Sequence, residues 1–208
     1  MAEKYPPATR QARDGIVQWI LEAGYFGGVP DPSLLLIGLP QGPILRAEVQ
    51  QDGSVAVWFR DQAEISRKRS PRYFDLPAFA ALRLLWLPKA HVLFSRTDKL
   101  PRPELHDLTT FDHIKLRRII ADASTCGAVE TVGDHRDLRR TNLRLMTAQP
   151  SAERNWSHKG RSLAIATAVS NLEKSTEDFG LTPMHYERLL LSAFRLADSF
   201  PLAASEVA

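Results

Sequence analysis

The spacing of apolar and polar residues divides the chain into alternating helical and extended segments. Residues 10–24 carry apolar side chains at helical spacing, which predicts an amphipathic helix. Residues 44–59 alternate around an Asp52-Gly53 turn signal and therefore predict a β-hairpin. By the same criteria, further helices are expected at residues 76–87, 111–123, 163–174 and 183–200, and further strands at residues 34–38 and 91–95.

The last of these helices has the clearest start signal. Thr182 suits the N-cap position and Pro183 suits the first helical position. Its apolar residues, Tyr186, Leu190 and Phe194 among them, predict that it docks on the body of the protein or on a second copy of the chain. Oligomerisation through this C-terminal helix is therefore left open.

Two connecting segments differ in character. Residues 60–73 include the basic run RKRSPR at positions 67–72. This run is either a solvated connector or an arm that contacts phosphate. Residues 99–103 contain two prolines, which predict a stiff connector because each proline fixes its own backbone dihedral angle.

Composition limits the classes of protein to which the chain can belong. With 208 residues, 44% hydrophobic residues and a formal net charge of +3, the chain matches an ordinary, mildly basic globular protein. The single cysteine, Cys126, can form no intramolecular disulfide, so a cytoplasmic setting is expected. The N-terminal residues lack a signal-peptide core, and the longest apolar runs are too short to span a bilayer, so no membrane partner is expected.

Charge is concentrated in one segment, residues 113–161, around the string GDHRDLRRTNLRLMT at positions 133–147. This segment holds ten Lys or Arg residues and five acids, which gives +5, more than the +3 of the whole chain. A local excess of this kind is the electrostatic footprint expected of a protein that binds DNA or RNA. In the alternative interpretation, the arginines pair with the interleaved aspartates and only solvate the surface.

The same string resembles the core of the HNH nucleases, specifically the phage and homing-endonuclease branch. The resemblance covers about residues 113–161. It implies a two-stranded ribbon followed by a helix, which together bind one divalent metal ion such as Mg²⁺. Residues 129–132 match the first strand, residues 142–147 the second, and residues 148–156 the start of the metal-side helix. Alternation in the second strand predicts Leu143 and Leu145 on one face and Arg144 on the other. Asn142 is expected to be structural, tying the loop together through its amide.

Two alignments with that family are open. In the first, Glu130 or Thr131 takes the place of the general-base histidine, and Pro150 and Glu153 take the helix positions. In this alignment a different residue occupies every catalytic position of the family, which indicates that the nuclease activity has been lost.

In the second alignment, Asp134-His135 is the family's Asp-His pair followed by a shortened loop, and Asn155 or His158 is the helix ligand. Across both alignments the candidate bases are His135 and Glu130, and the candidate metal ligands are Asp134 and Asn155. Asp134 is equally consistent with a turn former and arginine partner, as is Asp137.

The phosphate-contacting candidates are all arginines. They are Arg117, Arg118, Arg136, Arg139, Arg140, Arg144 and Arg154. In this interpretation they would position the nucleic-acid backbone, and no residue argues for direct reading of bases.

Together these patterns predict an α+β fold in three parts. Residues 1–98 form a lobe with the N-terminal helix and the hairpin, residues 99–161 form the HNH-like ββα core, and residues 162–208 form a C-terminal helical segment. We expect a DNA-binding protein of HNH-endonuclease descent with weak or lost phosphodiester hydrolysis, requiring a divalent metal only if it cuts. The alternative is a protein-binding regulator or inhibitor, of phage or mobile-element type, that uses the ββα remnant as a scaffold. A small-molecule enzyme has no supporting motif.

Overall fold

The fold is α+β, as predicted. The computed structural model describes residues 7–25, 31–40, 44–59, 70–86, 90–94, 103–107, 112–123, 129–146, 161–174 and 181–204. Within these ranges the helices are α1 (Pro7–Tyr25), α2 (Leu76–Trp86), α3 (Leu116–Ala121), α4 (Arg161–Lys174) and α5 (Pro183–Ala197). The strands are β1 (Ile44–Val49), β2 (Ser54–Phe59), β3 (Arg72–Asp75), β4 (Ala90–Phe94), β5 (Pro103–Asp107), β6 (Asp112–Lys115), β7 (Val129–Thr131) and β8 (Leu143–Leu145).

The strands form three antiparallel sheets in the described part of the chain. Their orders are β1-β2-β3, β4-β5-β6 and β7-β8, so every pairing joins strands that are consecutive in sequence. The predicted hairpin is confirmed as β1 and β2, with Val49 opposite Val55. Gly53 adopts a φ of 79° in the connecting turn, a conformation that glycine reaches without steric cost.

The strand predicted at residues 34–38 is wrong. Residues Pro32–Leu36 form a short 3₁₀ helix, and the Asp31 carboxylate accepts a hydrogen bond from the Ser33 backbone N–H at 2.9 Å. Hydrogen bonds from the Ser33 side chain and backbone hold the pKa of Asp31 below its usual range. An Asp cap followed by proline is a helix-start signal, and it outweighs the β propensity of a short apolar run.

The helix predicted at residues 111–123 is only half right. Asp112–Lys115 form strand β6, paired with β5, and the helix α3 begins at Leu116. Asp122, in the left-handed region with φ 54°, ends α3. The Ala123 N–H donates to the Arg118 carbonyl and the Asp122 N–H to the Ile119 carbonyl, which is the Schellman arrangement.

One hydrophobic cluster joins the parts of the chain that the sequence divided into three regions. It includes Ile16 of α1, Phe79 of α2, Ile119 of α3, Leu143 of β8 and Phe194 of α5. The described residues of the three predicted regions therefore share a single core.

Helix α2 is the centre of that core, with all its residues after Leu76 buried. Among them is Arg83, whose guanidinium donates to the Leu35 carbonyl at 2.7 Å and to the Ile37 carbonyl at 3.1 Å. Burial lowers the pKa of Arg83 to about 10. The buried charge is compensated by main-chain carbonyls, and it holds the 3₁₀ helix against α2.

Helix α5 docks on the body of the protein, one of the two arrangements expected for it. Thr182 caps it, accepting a hydrogen bond from the His185 N–H at 3.2 Å. Tyr186, Leu190 and Phe194 are buried, and the Tyr186 hydroxyl donates to the Leu84 carbonyl of α2. Among the described residues, no helix is both long enough and apolar enough to cross a membrane.

Gly15 is a sensitive position, because α1 passes the 3₁₀ helix at that residue. A Cβ atom there would lie 2.8 Å from the Leu34 carbonyl oxygen and 2.9 Å from the Ile37 Cδ1 atom. We expect Gly15→Ala to destabilise the fold by about 1–3 kcal/mol, less the helix propensity gained. Urea unfolding measures the change, with Gln11→Ala, an exposed position on the same helix, as control. A Gly15→Ala variant as stable as the wild type would contradict the close approach.

Candidate functional site

The ribbon implied by the HNH resemblance is present at its expected place. β7 pairs with β8 so that Val129 lies opposite Leu145, Glu130 opposite Arg144 and Thr131 opposite Leu143. Leu143 is fully buried and Leu145 packs against the same core, whereas Arg144 lies on the other face. The predicted alternation in the second strand is therefore confirmed. The metal-side helix predicted at residues 148–156 lies outside the described residues.

Asn142 holds the connecting loop of the ribbon together, as expected. Its side-chain oxygen accepts a hydrogen bond from the Gly133 N–H at 2.9 Å. Its amide nitrogen donates to the Asp134 carbonyl at 3.1 Å and to the Asp137 carbonyl at 2.8 Å. One side chain thus binds three backbone groups of the loop, among them the Asp134 carbonyl, which also accepts the Asp137 N–H at 2.9 Å.

The loop contains the same local motif twice, in Asp134-His135-Arg136 and in Asp137-Leu138-Arg139. In each copy the carboxylate accepts the backbone N–H two residues later, at 2.9 Å for Arg136 and 3.1 Å for Arg139. The guanidinium of that arginine then binds both oxygens of the same carboxylate, at 2.6–3.1 Å. The alternative interpretation, turn-forming aspartates paired with arginines, is confirmed for both aspartates.

The surroundings of Asp134 and His135 differ from those expected of a metal ligand next to a general base. The Nδ1 atom of His135 lies 3.5 Å from the Asp134 carboxylate, and both side chains are more than a third exposed. The hydrogen bonds from Arg136 hold the pKa of Asp134 down, at about 2. Asp134 is therefore an ionised partner of Arg136, and His135 lies at the edge of that ion pair.

The other candidate base, Glu130, is also committed to an arginine. Its carboxylate accepts a hydrogen bond from the Nε atom of Arg144, directly across the ribbon. The guanidinium therefore occupies carboxylate lone pairs that a metal ion would need.

The described candidates therefore do not fit the divalent metal that the resemblance implies. A cation at Asp134 or Glu130 would have to displace a hydrogen-bonded guanidinium. In the described part of the chain, no group of three or more His, Cys, Asp or Glu residues is placed to hold a metal ion. The remaining predicted ligand, Asn155, and its alternative, His158, lie outside the described residues, as does the predicted phosphate contact Arg154.

Arg140, predicted to contact phosphate, has a structural role instead. Its side chain is 10% exposed. The guanidinium donates to the Ile120 and Phe200 carbonyls, both at 2.7 Å, and pairs with Asp198 at 3.0 Å. Its backbone N–H donates to the buried Asp75 carboxylate at 2.8 Å. We therefore reassign Arg140 from a phosphate contact to a tie between four segments of the chain.

Arg161, counted with the basic surface, is buried beside it. Its guanidinium donates to the Ile119 carbonyl at 3.0 Å and pairs with Asp198 at 2.9 Å. It also lies 4.4 Å from the centre of the Phe194 ring, a cation–π contact. Two arginines thus compensate the carbonyls at the end of α3, where positive charge is favourable.

The loop is fastened to the first sheet as well as to itself. The Tyr73 N–H donates to the Arg136 carbonyl at 3.0 Å, and the Leu138 N–H donates to the Tyr73 carbonyl at 2.8 Å. Arg139 reaches Asp52 in the β1–β2 turn at 2.7 Å. The predicted phosphate contacts of this loop are therefore already held by carboxylates.

The remaining described candidates, Arg117 and Arg118, lie on α3. Both are half-buried, between the buried residues Leu116 and Ile119. This position does not place them at the ribbon loop, and their role as phosphate contacts stays a prediction.

Three acids of the site were missed from sequence: Asp52, Asp75 and Asp198. Asp52 carried a turn signal with Gly53, but nothing local indicated its long-range ion pair. Asp75 and Asp198 follow apolar segments, where an acid typically marks an element boundary. Their partners lie 65 and 58 residues away along the chain, too far for any local pattern to show.

The chain has no match among protein-family models, curated proteins or solved structures.

Removing the Asn142 amide should open the loop. We expect Asn142→Ala to lose roughly 1–3 kcal/mol of stability, because the loop loses three side-chain-to-backbone hydrogen bonds. Amide hydrogen exchange should rise most at Gly133, whose N–H donates to that side chain. Thr141→Ala, an exposed neighbour, is the matched control. Equal protection of Gly133 in both variants would contradict the role of Asn142.

Two acids of the site should make stability depend on pH in opposite directions. Burial raises the pKa of Asp75, so its stabilising contribution is present below the unfolded pKa of about 3.9 and is lost as pH rises through the folded pKa. Wild type should therefore lose stability relative to Asp75→Asn as pH rises from about 4 towards neutrality. Asn keeps an acceptor for the Arg140 N–H.

Asp134 is the internal comparison for that experiment. Its pKa, lowered to about 2, means that its contribution is present above about pH 3.9 and is lost as pH falls towards 2. Wild type should gain stability relative to Asp134→Asn as pH rises through that interval. Urea unfolding across pH measures both differences, and the same sign for the two variants would contradict these environments.

Proposed function

We propose that the protein binds the phosphate backbone of a nucleic acid and does not cut it. The observation that carries the proposal is the bond between β3 and the ribbon loop. Tyr73 of β3 binds the loop through two backbone hydrogen bonds, and β3 begins at Arg72, the last residue of the basic run at positions 67–72. Along the sequence, the basic run therefore leads directly into the strand that binds the HNH-like loop.

The ion pairs of the ribbon loop indicate which basic residues would make the main phosphate contacts. Within the described loop and its docking turn, Arg136, Arg139 and Arg144 each bind a carboxylate. Phosphate would have to compete with those carboxylates for these arginines. We therefore assign the main phosphate contacts to Arg67, Lys68 and Arg69, with Arg136 and Arg139 as contacts that require partner exchange.

The proposed absence of cleavage is supported by the ion pairs of one candidate base, Glu130, and of the candidate metal ligand, Asp134. Phosphodiester hydrolysis needs a base for water and a metal for the leaving oxygen. Glu130 is held by Arg144, and Asp134, beside His135, is held by Arg136.

A second candidate function, binding of another protein with the ribbon as scaffold, has one observation in its favour. The loop uses its arginines within the fold, which a scaffold requires and a phosphate-binding loop does not. Salt separates the two functions, because binding through phosphates weakens steeply with added salt whereas a largely apolar protein interface does not.

Binding is tested by fluorescence anisotropy of a labelled duplex DNA and of its single strand across a salt series. We expect Arg67→Ala/Arg69→Ala to lower the slope of log affinity against log salt by roughly 1.8 for duplex DNA, about 0.9 for each lost phosphate contact. The control is Arg188→Ala/Arg195→Ala, which removes the same charge from exposed positions of α5. Equal slopes for both variants would show that the basic run does not contact the nucleic acid. If the wild type shows no salt-dependent binding, a protein partner is favoured instead.

Cleavage is tested separately, with supercoiled plasmid in Mg²⁺ or Mn²⁺. We expect no nicking above the EDTA control. Metal-dependent nicking that is lost in His135→Ala or Glu130→Gln would contradict the non-cleaving assignment and identify the base.

A further inference from the structure

The face of the β1-β2-β3 sheet that points away from the core carries two aromatic side chains. Val57 and Phe59 of β2 belong to the hydrophobic core, so strand alternation places Trp58 on the opposite, outer face. Tyr73 shares the outer face, because it lies opposite Ala56, two residues before Trp58. Both aromatic residues are half-buried. Diagonal neighbours of this kind are about 7–8 Å apart, so both can contact adjacent units of one ligand.

Arg46 of β1 lies directly opposite Trp58 and stacks on it. Its guanidinium is 4.0 Å from the centre of the Trp58 ring, a cation–π contact. Its Nε atom lies 3.2 Å from the Glu48 carboxylate, and both side chains of that ion pair are at least half exposed. An ion pair so exposed contributes little to stability, because solvent screens it. Arg46 can therefore exchange Glu48 for a phosphate.

A pocket adjoins these two side chains at the edge of the sheet. It has a volume of about 510 Å³ and lies between the end of the 3₁₀ helix and the edge strand β1. It is lined by Leu36, Leu39 and Pro40 on one side and by Leu45, Arg46 and Trp58 on the other. The size is typical of sites for small ligands, which combine apolar walls with a few polar groups. An aromatic wall with one exposed cation fits a planar ring that carries a neighbouring anion.

We propose that this outer face binds a single-stranded nucleic acid, with an unpaired base in the pocket against Trp58 and its phosphate on Arg46. Binding here presupposes the proposed nucleic-acid function and specifies single strands as the ligand. A nucleotide joins a planar ring to an anion, and every base has a face that stacks on an aromatic side chain. In a duplex the bases are paired and stacked on each other, so they do not reach the pocket. Tyr73 would contact the next base.

The surroundings of the pocket favour a nucleotide over an apolar peptide. The same sheet binds the ribbon loop through Tyr73, and the basic run leads along the sequence into β3. A strand that leaves the pocket across Tyr73 therefore reaches the loop at Arg136, whose carbonyl accepts the Tyr73 N–H. An apolar peptide would fill the pocket but would offer Arg46 no anion.

The test is fluorescence anisotropy of labelled oligo-dT, labelled oligo-U and a duplex of oligo-dT with oligo-dA, across a salt series. We expect the wild type to bind at least one of the single strands more tightly than the duplex. Trp58→Ala should weaken single-strand binding roughly 5- to 150-fold, the range for loss of one stacked base. The slope of log affinity against log salt should stay unchanged, because stacking releases no counterions.

The companion variants separate stacking from charge. Trp58→Phe keeps a ring and should retain most of the affinity, and Leu191→Ala, an exposed apolar position of α5, should bind as the wild type does. Arg46→Ala should lower the salt slope by about 0.7, the value for one phosphate contact on a single strand. Arg188→Ala, an exposed arginine of α5, is its matched control.

Equal affinity of Trp58→Ala and wild type for the single strands would overturn the site. The proposed function would still stand if the basic-run variant lowers the salt slope. Equal binding of duplex and single strands by the wild type would overturn the preference for unpaired bases. If the wild type binds none of the three nucleic acids, the proposed function fails together with the site, and an apolar peptide becomes the favoured ligand.

A measurement on the unaltered protein remains decisive if a variant fails to fold. A single strand that carries 5-iodouracil should crosslink on irradiation to Trp58 or Tyr73, mapped by mass spectrometry. Crosslinks confined to other residues would overturn the site.

Discussion

The buried guanidinium of Arg140 is the interaction on which the arrangement of the ribbon, α3 and the C-terminal segment depends. It satisfies the Ile120 carbonyl at the end of α3 and the Phe200 carbonyl after α5, and it pairs with Asp198. The backbone N–H of the same residue binds Asp75 at the end of β3. A charge placed in the interior is costly unless each donor finds a partner. Each of these segments therefore has to keep its place for Arg140 to be tolerated there.

The same requirement explains why the basic character of residues 113–161 does not translate directly into a basic surface. The side chains of Arg140 and Arg161 are buried, and both pair with Asp198. Arg139 is shared between Asp137 and Asp52. In the described part of this segment, part of the positive charge counted along the sequence is therefore compensated by two acids from other parts of the chain, Asp52 and Asp198.

The pairing of these acids with arginines also affects whether the ribbon could catalyse phosphodiester hydrolysis. In a metal-dependent nuclease the acids of the site must be available to a cation, and the base must be able to take a proton from water. Here the acids on the ribbon and its loop are each bound by an arginine two residues away or directly across the strand pair. Asn142 and the packing of Leu143 and Leu145 against the core hold the ribbon in shape, and the acids of the ribbon and its loop pair with arginines.

The sequence by itself determined the features whose causes are local. These are the β1–β2 hairpin, the alternation of the ribbon strands, the capped start of α5, the loop role of Asn142 and the Asp–Arg turns. Tertiary structure decided the rest, because the deciding partners are far away in sequence. Residues 112–115 became a strand because β5 pairs with them, and the position of the locally capped 3₁₀ helix at residues 32–36 against α2 is fixed by Arg83. Arg139 and Arg140 are adjacent and identical in type, yet one is a surface ion pair and the other an interior tie. Their partners distinguish them: Arg139 binds Asp137 and Asp52, whereas the Arg140 guanidinium binds the Ile120 and Phe200 carbonyls and Asp198, whose convergence offsets its desolvation.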